Sequence, residues 1–231
     1  MEKPGRTPVT FTPMRAAISR RMVESKSKAP HFYVSTDIEM EAVIAANNAI
    51  NEARSGDDRV TLTAWIVRAL AQSLAAAPAL NAVWSGEALE RVDAINIGIA
   101  IAIPDGLIAP ALLDCANKDL PTLSAELRDL VARTKANKLR PAEFSDATFT
   151  LSNLGAFPVT QFTAIVTPPQ VAILATGKSE ARAVVRDGIV VARQMLTATL
   201  SADHRAVDGA LVAAFLGDLK SRLELPAGLA Q

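Results

Sequence analysis

Ser201-Ala202-Asp203-His204-Arg205-Ala206-Val207-Asp208-Gly209 holds one of the two histidines in a chain of 231 residues, with a carboxylate four positions later and then a glycine. The run Met195–Ser201 before it alternates like a strand, and an alanine-rich amphipathic run, Ala210–Leu225, follows. The imidazole is therefore expected at a strand-to-helix junction, where a fold commonly exposes a catalytic group. Histidine is the side chain best suited to moving protons near neutral pH.

Working outward, the same reading predicts a helix over 13–26, with Thr12 as the capping hydroxyl and Pro13 at the first helical position. A strand over His31–Asp37 and helices over Glu41–Ala53 and Leu62–Ala76 follow, the last stopped by Pro78. Ile95–Ile103 and Leu107–Leu113 read as buried strands around an Asp105-Gly106 turn, and Leu120–Ala136 as a helix with Thr122 as its cap. Five further strands are expected at Ala147–Ser152, Val171–Thr176, Ala181–Arg186, Ile189–Arg193 and Met195–Ser201, with Asp187-Gly188 joining the third to the fourth. A helix over Ala210–Leu223 closes the chain. Hairpins mixed with long helices predict an α/β fold, a two-layer sandwich of helices on a mixed β-sheet. Residues 1–10, polar with prolines at 4 and 8, read as a linker remnant or extended N-terminal arm, and 11–231 as one domain.

Composition narrows the function. Lysine plus arginine equals aspartate plus glutamate, 24 each, so no whole-chain field favours nucleic acid or an anionic membrane. The single cysteine, Cys115, excludes an internal disulfide, and with two histidines argues against a thiolate or histidine-rich metal cluster. The longest apolar stretch, near Ala94–Ile103, is too short to span a bilayer, and the N-terminus has no apolar signal core. A soluble protein of a reducing compartment is expected.

Three segments recur in the order and spacing of one family: Pro104-Asp105-Gly106-Leu107-Ile108-Ala109-Pro110, Thr148-Phe149-Thr150-Leu151-Ser152-Asn153-Leu154-Gly155 and Asp203–Ala210. Supporting matches include Met14–Met22 followed by Pro30-His31-Phe32-Tyr33, Val60–Thr63, Asn81–Trp84, and Phe162-Thr163-Ala164 ahead of Pro168-Pro169-Gln170. Over nearly its whole length the chain resembles the catalytic core of the dihydrolipoamide acyltransferases of 2-oxo acid dehydrogenase complexes, relatives of chloramphenicol acetyltransferase. The resemblance implies a chloramphenicol acetyltransferase-like fold for the domain. It also implies transfer of an acyl group, acetyl ahead of succinyl or branched-chain, between a dihydrolipoyl thiol and coenzyme A without an acyl-enzyme. Coenzyme A is then a substrate, the lipoyl group rides on a separate domain, and no metal is involved. Implied partners are further copies in a homotrimer or an assembly of trimers, the lipoyl domain, and the 2-oxo acid decarboxylase and dihydrolipoamide dehydrogenase components. The implied location is the cytoplasm, or the mitochondrial matrix in a eukaryote.

Such chemistry needs a base for the thiol and a donor for the oxyanion. A free thiol titrates near 8.5 and imidazole near 6.5, so a hydrogen-bonded pair exchanges a proton at modest cost. By resemblance His204 is the base, Ser152 the oxyanion donor and Asp208 the group that orders the histidine loop through a salt bridge. The first two are expected from neighbouring subunits. On the residues alone, Ser152 and Asn153 also suit strand-end capping. The arginine usual opposite Asp208 aligns with Asn47, and Pro158 and Thr167 stand where glycine and asparagine are usual. These departures keep open an alternative, a catalytically weak structural core subunit; transfer to a small acceptor, as in chloramphenicol acetyltransferase, is a second. His31, with no acidic or hydroxyl partner nearby in sequence, reads as a packed strand histidine, and Arg15, Arg20 and Arg21 as a solvated or interfacial helix face.

Overall fold

The computed structural model describes residue 5, residues 7–104 and residues 106–230. Half of the expected arm, residues 1–4 and 6, and Asp105 of the expected turn lie outside the described residues; 7–10 are exposed and carry no helix or strand.

Polar caps set the helix starts. Thr12 Oγ1 accepts from the Arg15 N–H at 3.2 Å to open α1 (Pro13–Lys28), which leads into β1 (His31–Glu39) and α2 (Glu41–Asn51). Thr61 caps α3 (Leu62–Ala76) in the same way through the Ala64 N–H. A small ribbon of β2 (Ala82–Trp84) and β3 (Leu89–Arg91) follows, which the sequence reading did not anticipate.

The two long strands expected around residue 105 are broken up. β4 (Ile97–Ile99) lies in the main sheet, β5 (Ile101–Ile103) pairs with β6 (Gly106–Ile108) in a separate ribbon, and β7 (Ala111–Leu112) returns to β4. The break falls where the Ala100 N–H is taken by the Leu151 carbonyl and the Ile99 N–H by that of Pro110. Next come α4 (Leu120–Lys135) and the short α5 (Pro141–Ser145). The cap of α4 is Asp119, whose carboxylate accepts from the Thr122 N–H at 2.9 Å, and not Thr122 itself. The remaining elements are β8 (Phe149–Asn153), β9 (Ala172–Thr176), β10 (Glu180–Arg186), β11 (Ile189–Asp203) and α6 (Gly209–Glu224).

The expected strands 189–193 and 195–201 are one continuous 15-residue strand. Its first half pairs with β10 across a turn in which Asp187 and Gly188 both have positive φ, as a type I′ hairpin requires. Its second half pairs with β1 on one side and β9 on the other. The main sheet runs β1-β11-β9-β8-β4-β7, parallel between β9 and β8 and between β8 and β4, antiparallel elsewhere.

Helices α3, α4 and α6 cover one sheet face and enclose the core, where Trp65, Leu70 and Leu74 of α3 meet Phe149, Leu200 and Phe215. The fold is thus the expected two-layer mixed α/β sandwich. Alternation along β11 puts Leu196, Ala198, Leu200 and Ala202 into this core and turns Thr197, Thr199, Ser201 and Asp203 to the other face. That second face is roofed by an irregular segment leading into Pro168-Pro169, a cis pair. Outside both layers lies α1, of which Ser25 alone is buried.

Candidate active site

His204 follows the last residue of β11, in the turn that leads to α6. It is exposed, as the sequence predicts for a strand-to-helix junction. Its backbone N–H donates to the Pro30 carbonyl at 2.9 Å, and its ring lies 4.5 Å from that of Phe32. The residues on either side clamp it. The Asp203 carboxylate, 3% exposed, accepts from the Arg205 backbone N–H at 3.0 Å, from Nε at 3.0 Å and from the terminal guanidinium nitrogen at 2.6 Å. This pairing holds the arginine's pKa above its ordinary value, and the guanidinium lies 4.8 Å from the centre of the Trp84 ring.

Asp208 departs from the expectation. Its carboxylate accepts from the Leu211 N–H at 2.9 Å and so caps α6; among the described residues it forms no ion pair. Asn47 does not face it either. The Asn47 side-chain oxygen accepts from Trp65 Nε1 at 3.1 Å and from Asn51 at 3.3 Å, which ties α2 to α3. The His204 turn is therefore held by the Asp203–Arg205 clamp and a helix cap in place of the expected salt bridge. The signal for this clamp in the sequence is the pair of opposite charges one residue either side of the histidine.

Ser152 sits near the end of β8, 9% exposed, in the wall of a cleft of about 630 Å³. The lining is mainly apolar, with Ile18 and Met22 from α1, Leu107 from β6, and Phe162 and Ile165 from the roofing segment. Thr167 also reaches this cleft. Two polar devices shape its floor and side. Thr150 Oγ1 donates to Gln170 Oε1 at 2.6 Å while Gln170 Nε2 donates to the Ala147 carbonyl. Arg133 grips Glu143 of α5 with two bonds of 2.5 and 2.7 Å, which holds the Glu143 carboxyl below the usual carboxylate range.

One chain does not bring Ser152 and His204 together. Ser152 pairs with Ala175, which pairs with Thr199, and His204 lies five residues further along. At about 3.3 Å per residue along the strand and about 4.8 Å between strands, the two are separated by roughly 19 Å. A base and an oxyanion donor must both lie about 3 Å from one reacting centre.

His31 is partly buried, with Nδ1 2.7 Å from the Ala29 carbonyl and Nε2 accepting from the Val166 N–H at 3.0 Å, so it is a bonded strand histidine as expected. Arg21 donates to the Pro168 carbonyl at 2.5 Å. Cys115 is buried, and burial pushes its thiol up to about 12. Among the described residues, no group of three or more histidine, cysteine, aspartate or glutamate side chains is placed to hold a metal, and no helix is long and apolar enough to cross a membrane.

The sequence model of the 2-oxoacid dehydrogenases acyltransferase (catalytic domain) family matches residues 3–230. The chain belongs to this family. A relative from Rhizobium meliloti, the dihydrolipoyllysine-residue acetyltransferase component of pyruvate dehydrogenase complex, is 39% identical over 221 residues, covering 94% of this chain and 49% of the relative. The chain thus spans about half the length of the curated relatives it matches. Among solved structures, the Azotobacter vinelandii dihydrolipoamide acetyltransferase superposes with a TM-score of 0.93 at 28% identity, covering 99% of this chain and 96% of that one. A serine, a histidine and an asparagine have been investigated there for their role in the catalytic mechanism. The cubic core of the pyruvate dehydrogenase multienzyme complex superposes equally well, TM-score 0.93 at 29% identity over 99% of this chain and 96% of that one.

Proposed function

We propose that the chain is the acyl-transferring core of a 2-oxo acid dehydrogenase complex, moving an acetyl group between a dihydrolipoyl thiol and coenzyme A. One observation carries the reading: Ser152, His204 and Asp208 are spaced along this chain as the serine, histidine and asparagine are in the Azotobacter vinelandii enzyme. Asp208 stands in the place of that asparagine, and its α6 cap gives it a structural task there.

In this mechanism His204 takes the proton of the coenzyme A thiol as its sulfur attacks the thioester carbonyl of the acyl-dihydrolipoyl arm. The carbonyl π pair moves to oxygen, where the Ser152 hydroxyl donates to it. Collapse breaks the original carbon–sulfur bond, and the departing dihydrolipoyl sulfur takes the proton back from His204. One thioester is exchanged for another with no net change in protons or electrons.

Because roughly 19 Å separates the two residues within one chain, the complete site lies between two copies, with His204 from one and the Ser152 cleft from its neighbour. The sparse burial of α1 supports the same assembly, since a 16-residue helix gains most of its stability from packing. The lipoyl arm arrives on a carrier domain, and the core works as a trimer or an assembly of trimers.

The test is acyl transfer from acetyl-, succinyl- and isobutyryl-coenzyme A to dihydrolipoamide, with the acetyl donor expected to be fastest. His204→Ala is expected to cost about a hundred- to ten-thousand-fold in rate, and Ser152→Ala about a hundred- to a thousand-fold in turnover. Subunits of the two inactive variants, exchanged with each other, should regain activity. Wild-type turnover in His204→Ala, or no recovery after demonstrated exchange, would overturn the base or the shared site respectively.

A further inference from the structure

The cleft wall supplied by residues 161–168 has neither helix nor strand to fix it, yet Phe162, Thr163, Ala164, Ile165 and Thr167 all face the space that Ser152 lines. Its order comes from side chains of α1, β1 and β11, Thr199 among them, reaching its backbone and its one long polar side chain. Gln161 Nε2 donates to Ser35 Oγ at 2.8 Å, and Arg21 donates to the Pro168 carbonyl. Between these anchors Val166 has both backbone groups taken. Its carbonyl accepts from the fully buried Ser25 Oγ at 2.6 Å, and its N–H donates to His31 Nε2 at 3.0 Å.

The His31 tautomer follows from its partners. A carbonyl only accepts, so Nδ1 carries the hydrogen toward Ala29; an amide N–H only donates, so Nε2 is the bare nitrogen. The residues beside His31 hold His204 of the same chain, which in the shared-site reading serves a neighbouring cleft: the Pro30 carbonyl binds the His204 N–H and the Phe32 ring packs on the His204 ring.

We infer that His31 is a positioning residue: through its bond to Val166 it holds the cleft wall near Ser152 in fixed register with the strand that carries the His204 turn. The kinetic part of this inference rests on the acyl-transfer reading of the cleft. The grip on Val166 does not. His31 touches neither reacting group, so its removal should alter how well a thiol substrate is seated in the cleft more than the chemistry that follows.

Three variants separate the hydrogen bonds from the ring's bulk. His31→Gln keeps an acceptor at the ε position, His31→Asn reaches only the Ala29 carbonyl, and His31→Phe keeps the shape and loses both bonds. Each is read in two ways: kcat and KM for coenzyme A and dihydrolipoamide substrates, and hydrogen–deuterium exchange of peptides covering 161–168. His31→Phe and His31→Asn are expected to raise KM for at least one thiol substrate about tenfold, the effect of one lost net hydrogen bond, with kcat within about threefold of the parent. Exchange across 161–168 should quicken in both, and His31→Gln should restore both readouts.

Unchanged KM and exchange in His31→Phe would overturn the inference, and so would a defect that His31→Gln fails to rescue, which would assign the role to ring packing. Should His31→Phe fail to fold, Ser25→Ala removes the other bond to Val166 and is held to the same two outcomes. Faster exchange in His31→Phe and His31→Asn, in a protein whose parent transfers no acyl group, would uphold the grip and overturn the site reading instead.

Discussion

Replacing Asp203 with asparagine tests whether the clamp around His204 is what holds that turn. The asparagine oxygen still meets the Arg205 backbone N–H, but the charge and the second acceptor for the guanidinium are gone. A charge-assisted hydrogen bond contributes about 1.5 to 3 kcal/mol, and breaking a fully buried ion pair costs about 3 to 5 kcal/mol. Asp203 is 3% exposed but Arg205 is 34% exposed, so water takes over part of the lost bonding and the lower figures apply. The expected loss is about 2 kcal/mol, which for a chain of this length lowers the melting temperature by roughly 4 to 8 °C. Turnover should fall about tenfold as well, because among the described residues the imidazole is held by the backbone on either side and by Phe32. Calorimetry and the acyl-transfer assay measure the two effects. The decisive control is the double-mutant cycle with Arg205→Ala: if Asp203→Asn costs the same with and without the arginine, the clamp is not the source of the stability.

Asn47→Arg should bring no gain from Asp208 and should lower the melting temperature, since it leaves the buried Trp65 N–H without its acceptor, at a cost of about 1 to 3 kcal/mol; a rise that vanishes in an Asp208→Asn background would restore the original alignment. The Glu143 carboxyl is held low by Arg133, so its contribution is fully present above the unfolded value of about 4.3 and is lost as pH falls through the lower folded value. Glu143→Gln is therefore expected to melt earlier at pH 7, with the gap to the parent narrowing toward pH 3; a gap independent of pH would count against the ion pair. The buried Cys115 thiol should ignore an aromatic disulfide reagent at pH 8 in the folded protein and react once when unfolded, and fast reaction of the native protein would contradict its burial.

Much of the architecture was legible because helix caps and strand alternation are local signals. Thr12 and the Asp187-Gly188 turn act as their sequence positions predict. The failures share a cause. The break between β4 and β5 is set by bonds from Leu151 and Pro110, distant in sequence, and an apolar run carries no trace of which partner will claim its N–H groups. The same holds for Asn47, whose alanine-rich helix offers no landmark for register and whose partner, Trp65, lies on another helix. Ser152 and His204 were legible as candidates through the motifs that carry the family resemblance. Their separation within one chain was not derivable from the residues, because it depends on the order β11-β9-β8.

The exposure of α1 has a consequence for how the protein is cut and worn. Five of its sixteen residues, Arg15, Arg20, Arg21, Lys26 and Lys28, are cleavage points for trypsin, and a helix with a single buried side chain opens locally far below the free energy of global unfolding. Limited digestion should therefore begin there while the sheet is intact. Since Arg21 and Ser25 are among the groups that tether residues 161–168, a nick in this helix would slacken the wall near Ser152 before any core strand is lost. Whatever covers α1 in the assembled state would then act as its shield, and the rate of the first cut becomes a direct gauge of how often that cover lifts.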